Sequence, residues 1–221
     1  MTEEVTMRSG ELTDKVAALV EESGPLPMVQ AGDPILRETV APYSGQLDDE
    51  LMERLISKMR STMEQTPNAV GLAAPQIGLP LRIAVMALQP KPVTARIARS
   101  NKFEQISIPF TVLINPSYRV LGETRAASFE GCLSISGWQA VVVRPEQIQI
   151  SREDETGKQC TENYTGIGAR IAQHEIDHLN GTLYIDRAEL RSLSTAEQVV
   201  QRWHRIGMAA TAKELGFALP E

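Results

Sequence analysis

The sequence predicts an α+β fold, and two observations carry that reading. Five β-patterned segments crowd residues 111–164 and a helical segment rich in apolar and small residues follows them, without the regular strand–helix alternation that a parallel sheet requires. The 221 residues, 42% of them hydrophobic, suffice for one core-bearing domain with appendages.

The elements follow in chain order. Residues 1–24 read as an N-terminal appendage, helical because Leu12, Val16, Leu19 and Val20 share a face until Pro25 and Pro27 break the pattern. Asp48 is placed to cap a second helix, in which Leu51, Leu55, Met59 and Met63 repeat every four residues with Met52 and Ile56 alongside. Its methionines read as core packing, and Pro67 stops it. The small, turn-prone run Gly71–Gly78 leads into a strand at Leu81–Leu88, and residues 89–110 read as a long surface loop. Strands are expected at Thr111–Ile114, Tyr118–Leu121, Trp138–Val143, Gln147–Ile150 and Gln159–Tyr164, the last two joined by a hairpin turn at Asp154–Gly157. A helix from about Gly168 to Asn180 ends at Gly181, and the short apolar run Leu183–Ile185 follows it. The domain core thus spans 25–193. Residues 194–221 form a C-terminal helix and tail, opened by the capping-box sequence Ser194–Glu197 and directing Val199, Val200, Trp203 and Ile206 inward.

Composition narrows the function. Twenty-two basic against twenty-eight acidic residues give a net charge of −6, which argues against a uniformly basic nucleic-acid binder. No run approaches the roughly 18 apolar residues that cross a bilayer, and the acidic start MTEEVTMRSGELTDK lacks the form of a signal or transit peptide. Two cysteines are too few for a disulfide framework, so a reducing, cytoplasmic setting with available thiols is expected.

The strongest chemical signal is Gln173-His174-Glu175-Ile176-Asp177-His178. Histidines at i and i+4 stand on one helix face, about 5–6 Å apart at Cβ, close enough to hold one metal ion. Glu175, offset by about 100° around the helix, lies beside that ion, where it can take a proton from an activated water. A catalytic site needs a third protein ligand and an open position. His204 sits in the last, amphipathic helix and reads as packed or solvated, whereas spacing alone does not exclude Glu189 or Glu197. The better candidate is Cys132, within Glu130-Gly131-Cys132-Leu133-Ser134, because one thiolate, two imidazoles and a water make a tetrahedral centre. Cys160, inside an expected strand, reads as structural.

Three stretches in this order, Gly71-Leu72-Ala73-Ala74-Pro75-Gln76, Glu130-Gly131-Cys132-Leu133-Ser134 and Gln173-His174-Glu175-Ile176-Asp177-His178-Leu179-Asn180-Gly181, together resemble the three signature motifs of the peptide deformylases. The resemblance runs from about Val29 to Arg187, and the flanks Phe129–Cys132, Ser136–Trp138 and Gly168–Ile171 are most similar to its organellar-type branch. It implies antiparallel sheets packed around the metal-binding helix, and a hydrolase that removes the formyl group from the N-terminal formyl-methionine of nascent polypeptides. It further implies Fe²⁺ as metal, with zinc, nickel or cobalt able to substitute, and Cys132, His174 and His178 as its ligands. Glu175 would act as general base and then acid, while the Gln76 amide and the Leu133 backbone N–H would stabilise the oxyanion. Gly71 would run beside the substrate main chain, and Val70 and Ile171 would line the pocket for the methionine side chain.

Three positions depart from the commonest pattern: Ala69 stands where glycine is usual, Ser136 where proline is frequent and Gln139 where many bacterial members carry arginine. None removes a group that the chemistry needs. Two other readings compete, a zinc endopeptidase using the same helix and a catalytically silent metal- or peptide-binding module. Cys132 argues against the first, and the presence of Glu175 and Gln76 against the second. Finally, Arg187, Arg191, Arg202, Arg205 and Lys213 concentrate positive charge in and before the last helix, an expected contact for the ribosome where such a substrate emerges.

Overall fold

The computed structural model describes residues 9–89 and 107–220, and its centre is a helix flanked by two antiparallel sheets. The chain begins with α1 (Ser9–Glu21) and α2 (Asp49–Gln65). The strands β1 (Gly71–Ala73), β2 (Ile83–Leu88), β3 (Ile108–Val120), β4 (Arg125–Cys132), β5 (Ile135–Pro145), β6 (Gln147–Glu153) and β7 (Gln159–Thr165) come next. The central helix α3 (Gly166–Leu179), strand β8 (Ala188–Thr195) and C-terminal helical turns complete the chain. One sheet has the order β1-β2-β3-β6-β7 and the other β4-β5-β8.

Local chemistry explains the elements. The Asp48 carboxylate accepts the Leu51 N–H at 2.8 Å and caps α2, whose Leu51, Leu55, Met59 and Met63 are buried. In β2 the side chains alternate between two cores. Ile83 and Val85 join α1 and α2 in one core, and Ala84 and Met86 join α3 in the other, so the strand is apolar on both faces. Gly181 ends α3 with φ +69°, where a Cβ would lie 2.5 Å from the Arg37 carbonyl oxygen. The Thr182 N–H returns to the Asp177 carbonyl at 2.9 Å and the Gly181 N–H to that of His178 at 3.2 Å, a Schellman closure. The Asp154 carboxylate gathers the backbone N–H groups of Thr156 and Lys158 and so makes the β6–β7 hairpin turn.

Several expectations change. The helix in residues 1–24 does not project from the domain, because Leu12, Val16 and Leu19 are buried in the core shared with α2. The two strands expected at 111–114 and 118–121 are one strand, β3, with an irregularity between Ile114 and Ser117 where Asn115 adopts φ 49° before Pro116. Residues 90–106 of the expected long loop lie outside the described residues, while Ile108–Phe110 belong to β3. Strands β4 and β8 were not anticipated. At the C-terminus Val199 and Trp203 are buried, but Val200 and Ile206 are exposed, 62% and 39%. Val200 lies about 100° round the helix from buried Val199, and the π-helical stretch at Val199–Trp203 rotates Ile206 off the 3.6-residue stripe before Gly207 breaks the helix.

Candidate active site

The β4–β5 hairpin and α3 bring the predicted residues together. Register shifts between Gly131 and Cys132, so that Gly131 faces Gln139 but Cys132 faces Ile135 across a two-residue turn. This irregularity turns the thiol toward α3. There, ligand atoms of Cys132, His174 and His178 all lie within 4.8 Å of one another, and Cys132 Sγ stands 3.3 Å from His178 Nε2. One thiolate and two imidazoles converging at this separation fit a single metal ion. Glu189, Glu197, His204 and Cys160 take no part. Glu189 accepts the Arg191 backbone N–H, Glu197 accepts from Gln201, His204 packs on Phe129 and Cys160 sits in β7 near Asp154.

Gln76 is buried in a 3₁₀ turn, Ala74–Ile77. Its side-chain oxygen accepts the Ala73 N–H at 2.8 Å, which orients the amide nitrogen toward Cys132 Sγ and Ser134 Oγ, each 3.4 Å away. The amide is thereby fixed as a donor facing the site. Glu175 is buried with Oε2 unpaired among protein atoms, and burial lifts its carboxyl to about 7 against the opposing charges of His174 and Arg144. Space for it comes from Gly71, where a Cβ would lie 2.5 Å from Glu175 Cδ.

An ionic network unread in the sequence supports this arrangement. Glu130 accepts from Arg144 at 2.7 and 2.9 Å and from Arg170 at 2.6 Å, and its Oε2 lies 3.0 Å from His174 Nδ1. That contact leaves His174 Nε2 for the metal side and fixes the ring. Arg144 also donates to Asp177 at 2.7 Å, and Arg187 grips Asp177 twice at 2.9 Å. Burial alone would raise Glu130, but hydrogen bonds from Arg144 and His174 and their charges hold its carboxyl far below the usual range. Glu130 and Asp177 stood within the recognised motifs. The one sequence sign of Arg144 was an arginine directly after the apolar run Val141–Val143.

A cleft of about 300 Å³ joins the parts. Val70, Gly71, Gln76, Leu133, Ile171 and Glu175 all line it, together with Cys132 and His174. Ala69 and Gln139 line it as well, whereas the Ser136 hydroxyl instead donates to Gln30 Oε1 at 3.1 Å. β1 is an edge strand, paired with β2 on one side only.

The sequence profile described as polypeptide deformylase matches residues 25–194. The chain is 50% identical over 210 residues to peptide deformylase 3 of Streptomyces avermitilis, covering 95% of this chain and 92% of that protein. To peptide deformylase 1 of Streptomyces coelicolor it is 48% identical over 210 residues, covering 95% and 94%. Among solved structures, the Met-Ala-Ser-bound class I type b peptide deformylase of Acinetobacter baumannii is similar with a TM-score of 0.66 and 30% identity, over 75% of this chain and 99% of that one.

Proposed function

Since the chain belongs to the polypeptide deformylase family, we propose that Cys132, His174 and His178 hold its metal and that Glu175, Gln76 and the Leu133 backbone act around it. The activity is the family's own, hydrolytic removal of the formyl group from the N-terminal formyl-methionine of newly made peptides. The observation that carries the assignment of roles is Glu175, a buried carboxyl with one unpaired oxygen and a pKa of about 7 beside the thiol–imidazole cluster.

The metal, when bound, supplies the Lewis acidity that makes water a nucleophile near neutral pH. Glu175 takes the proton of the attacking water and delivers it to the departing amine, work open to a buried carboxyl with an oxygen unpaired among protein atoms. The anchored Gln76 amide and the Leu133 N–H donate to the oxygen that gains charge on the formyl group. The open edge of β1 at Gly71 pairs with the substrate main chain as an added strand, and Val70 and Ile171 receive the methionine side chain. Substitution Glu175→Gln tests the central role. We expect retained metal and a 10²–10⁴-fold loss of turnover, and turnover like wild type overturns the assignment.

Iron(II) is our assignment for the resident metal, with zinc, nickel or cobalt able to replace it. The mixed thiolate–imidazole set suits each of these metals, and the choice of iron follows the family resemblance. Metal analysis of protein purified without oxygen, paired with formate release, tests it. Two free thiols accord with a reducing cytoplasm, and no described helix is long and apolar enough to cross a membrane. A transient ribosome contact rests on fewer cations than the sequence suggested. Arg187 is held by Asp177, Arg202 by Glu214, and Arg191 donates to the Leu215 carbonyl, which leaves exposed Arg205 and Lys213 for that contact. Reversing both charges should weaken salt-sensitive co-sedimentation with ribosomes, and unchanged co-sedimentation discards the contact.

A further inference from the structure

The cleft is not completed by the family-matched residues alone. Ala196 lines it beside Trp138 and Phe129, and it falls just beyond residue 194, where the family match ends. The segment that carries Ala196 is firmly attached. Thr195 pairs with Trp138 across β8 and β5, and its side chain accepts the Gln198 N–H. Val199 and Trp203 are buried, and the Trp203 ring N–H donates to Ser194 Oγ at 3.1 Å. Further along, the His204 ring meets Phe129 edge-on with centroids 6.2 Å apart. One C-terminal segment thus both lines the cleft and backs a second lining residue.

Among the described residues, the side chain that this segment gives to the cleft, Ala196, is apolar. Trp138 is 46% exposed, Ala196 is half-buried, and Val200, four residues after Ala196 and so on the same side of the helical turns, is 62% exposed. An exposed tryptophan at a cleft marks a site of contact rather than a solvated face.

We propose that residues 195–204 form an outer wall of the substrate cleft and make the enzyme prefer formyl-methionyl chains whose next two residues are apolar. The inference rests on the function proposed above in one respect, the placement of the formyl group between Glu175 and Gln76. With that end fixed and the main chain laid along β1, the residues after methionine would run on past Trp138 and Ala196, which both line the cleft. Burying part of a leucine side chain there replaces contact with water, whereas an aspartate or lysine gains no partner from Phe129, Trp138 or Ala196.

The test compares formate release from formyl-Met tripeptide amides that carry Leu, Asp or Lys at the second or third position. Wild-type enzyme should favour Leu over either charged residue by about tenfold in kcat/KM at one of those positions. Ala196→Asp, which the first turn of a helix accepts well, should raise the Lys-to-Asp preference about threefold. Ala196→Lys should lower it by a similar factor, the size expected of partly exposed charge pairs. Opposite movement in the two variants is something that general damage to the fold cannot produce. Equal wild-type rates for Leu and charged peptides, or the same Lys-to-Asp ratio in both variants, overturns the wall. Absence of formate from every peptide with metal-loaded wild-type enzyme overturns instead the function on which the wall rests.

Discussion

Gly71→Ala should disable the enzyme without unfolding it or emptying it of metal. Gly71 has no positive φ, so its backbone accepts alanine, and the consequence is purely steric. The new Cβ would stand 2.5 Å from Glu175 Cδ and 2.8 Å from its Cγ, and ordinary contact begins at 3.4 Å. Oε1 of the same group lies nearer still, so the carboxyl group must retreat by at least about 0.9 Å. A displacement near 1 Å in a reacting group costs about 10²-fold in rate, equivalent to about 2.7 kcal/mol of transition-state stabilisation. The clash falls on the end of a side chain rather than on backbone, so the fold should absorb it. Formate release from formyl-Met-Ala-Ser, with metal content measured on the same samples, supplies the assay. The expected result is kcat about 10² lower at full metal loading. In the Gly71→Ala background, Glu175→Gln should cost far less than it costs alone, because both changes act on one group. A kcat within about threefold of wild type, or fully additive effects, refutes the reasoning.

Arg144→Met leaves Glu130 and Asp177 each short of a partner that is itself buried, so it should destabilise the fold by about 3–5 kcal/mol. Thermal unfolding should then begin some 6–20 °C lower, and a shift under 2 °C would show that Arg170 and Arg187 suffice. His174→Ala and His178→Ala should lose metal and activity together, in contrast to Glu175→Gln, as metal analysis will show. Because the Glu130 pKa is lower in the folded protein than in the unfolded chain, its contribution to stability is complete above the unfolded carboxylate pKa of 4.5 and is lost as pH falls below that value. Metal-free protein should therefore lose melting temperature on acidification toward pH 3 more steeply than metal-free Glu130→Gln, and parallel slopes would reject the assignment.

What could be read in the sequence, and what could not, divides by the range of the forces involved. Helix α2 was legible because a cap, Asp48, and a four-residue apolar repeat are local signals. Helix α3 was legible for the same reason, its histidine pair and its stop at Gly181 lying within one stretch of chain. Strand β4, with the sequence RAASFEGC, escaped notice because its half-buried small residues make no apolar alternation. Strand β8, AELRSLST, escaped because it is an edge strand with a wet face. The proposed ligand set was accessible through motifs, but the Arg144 network was not. An arginine buried among apolar neighbours is explained only by carboxylates 14 and 33 residues away in sequence. The inward face of the last helix was misjudged at Ile206 because a π-helical stretch before it shifts the phase of a pattern read at 3.6 residues per turn.

The division of the proposed ligands between two pieces of the fold has a consequence for the protein's lifetime. Cys132 belongs to a hairpin of the smaller sheet and the histidines to a helix more than 40 residues further on. The three donors meet only when hairpin and helix have docked, so an ion that binds all three binds the docked state alone. Metal supply thereby enters the folding equilibrium. At a free concentration 100 times the dissociation constant it adds about 2.7 kcal/mol to stability. A cell short of that metal should hold less of the enzyme as well as a less active one, because the undocked chain is what proteases consume.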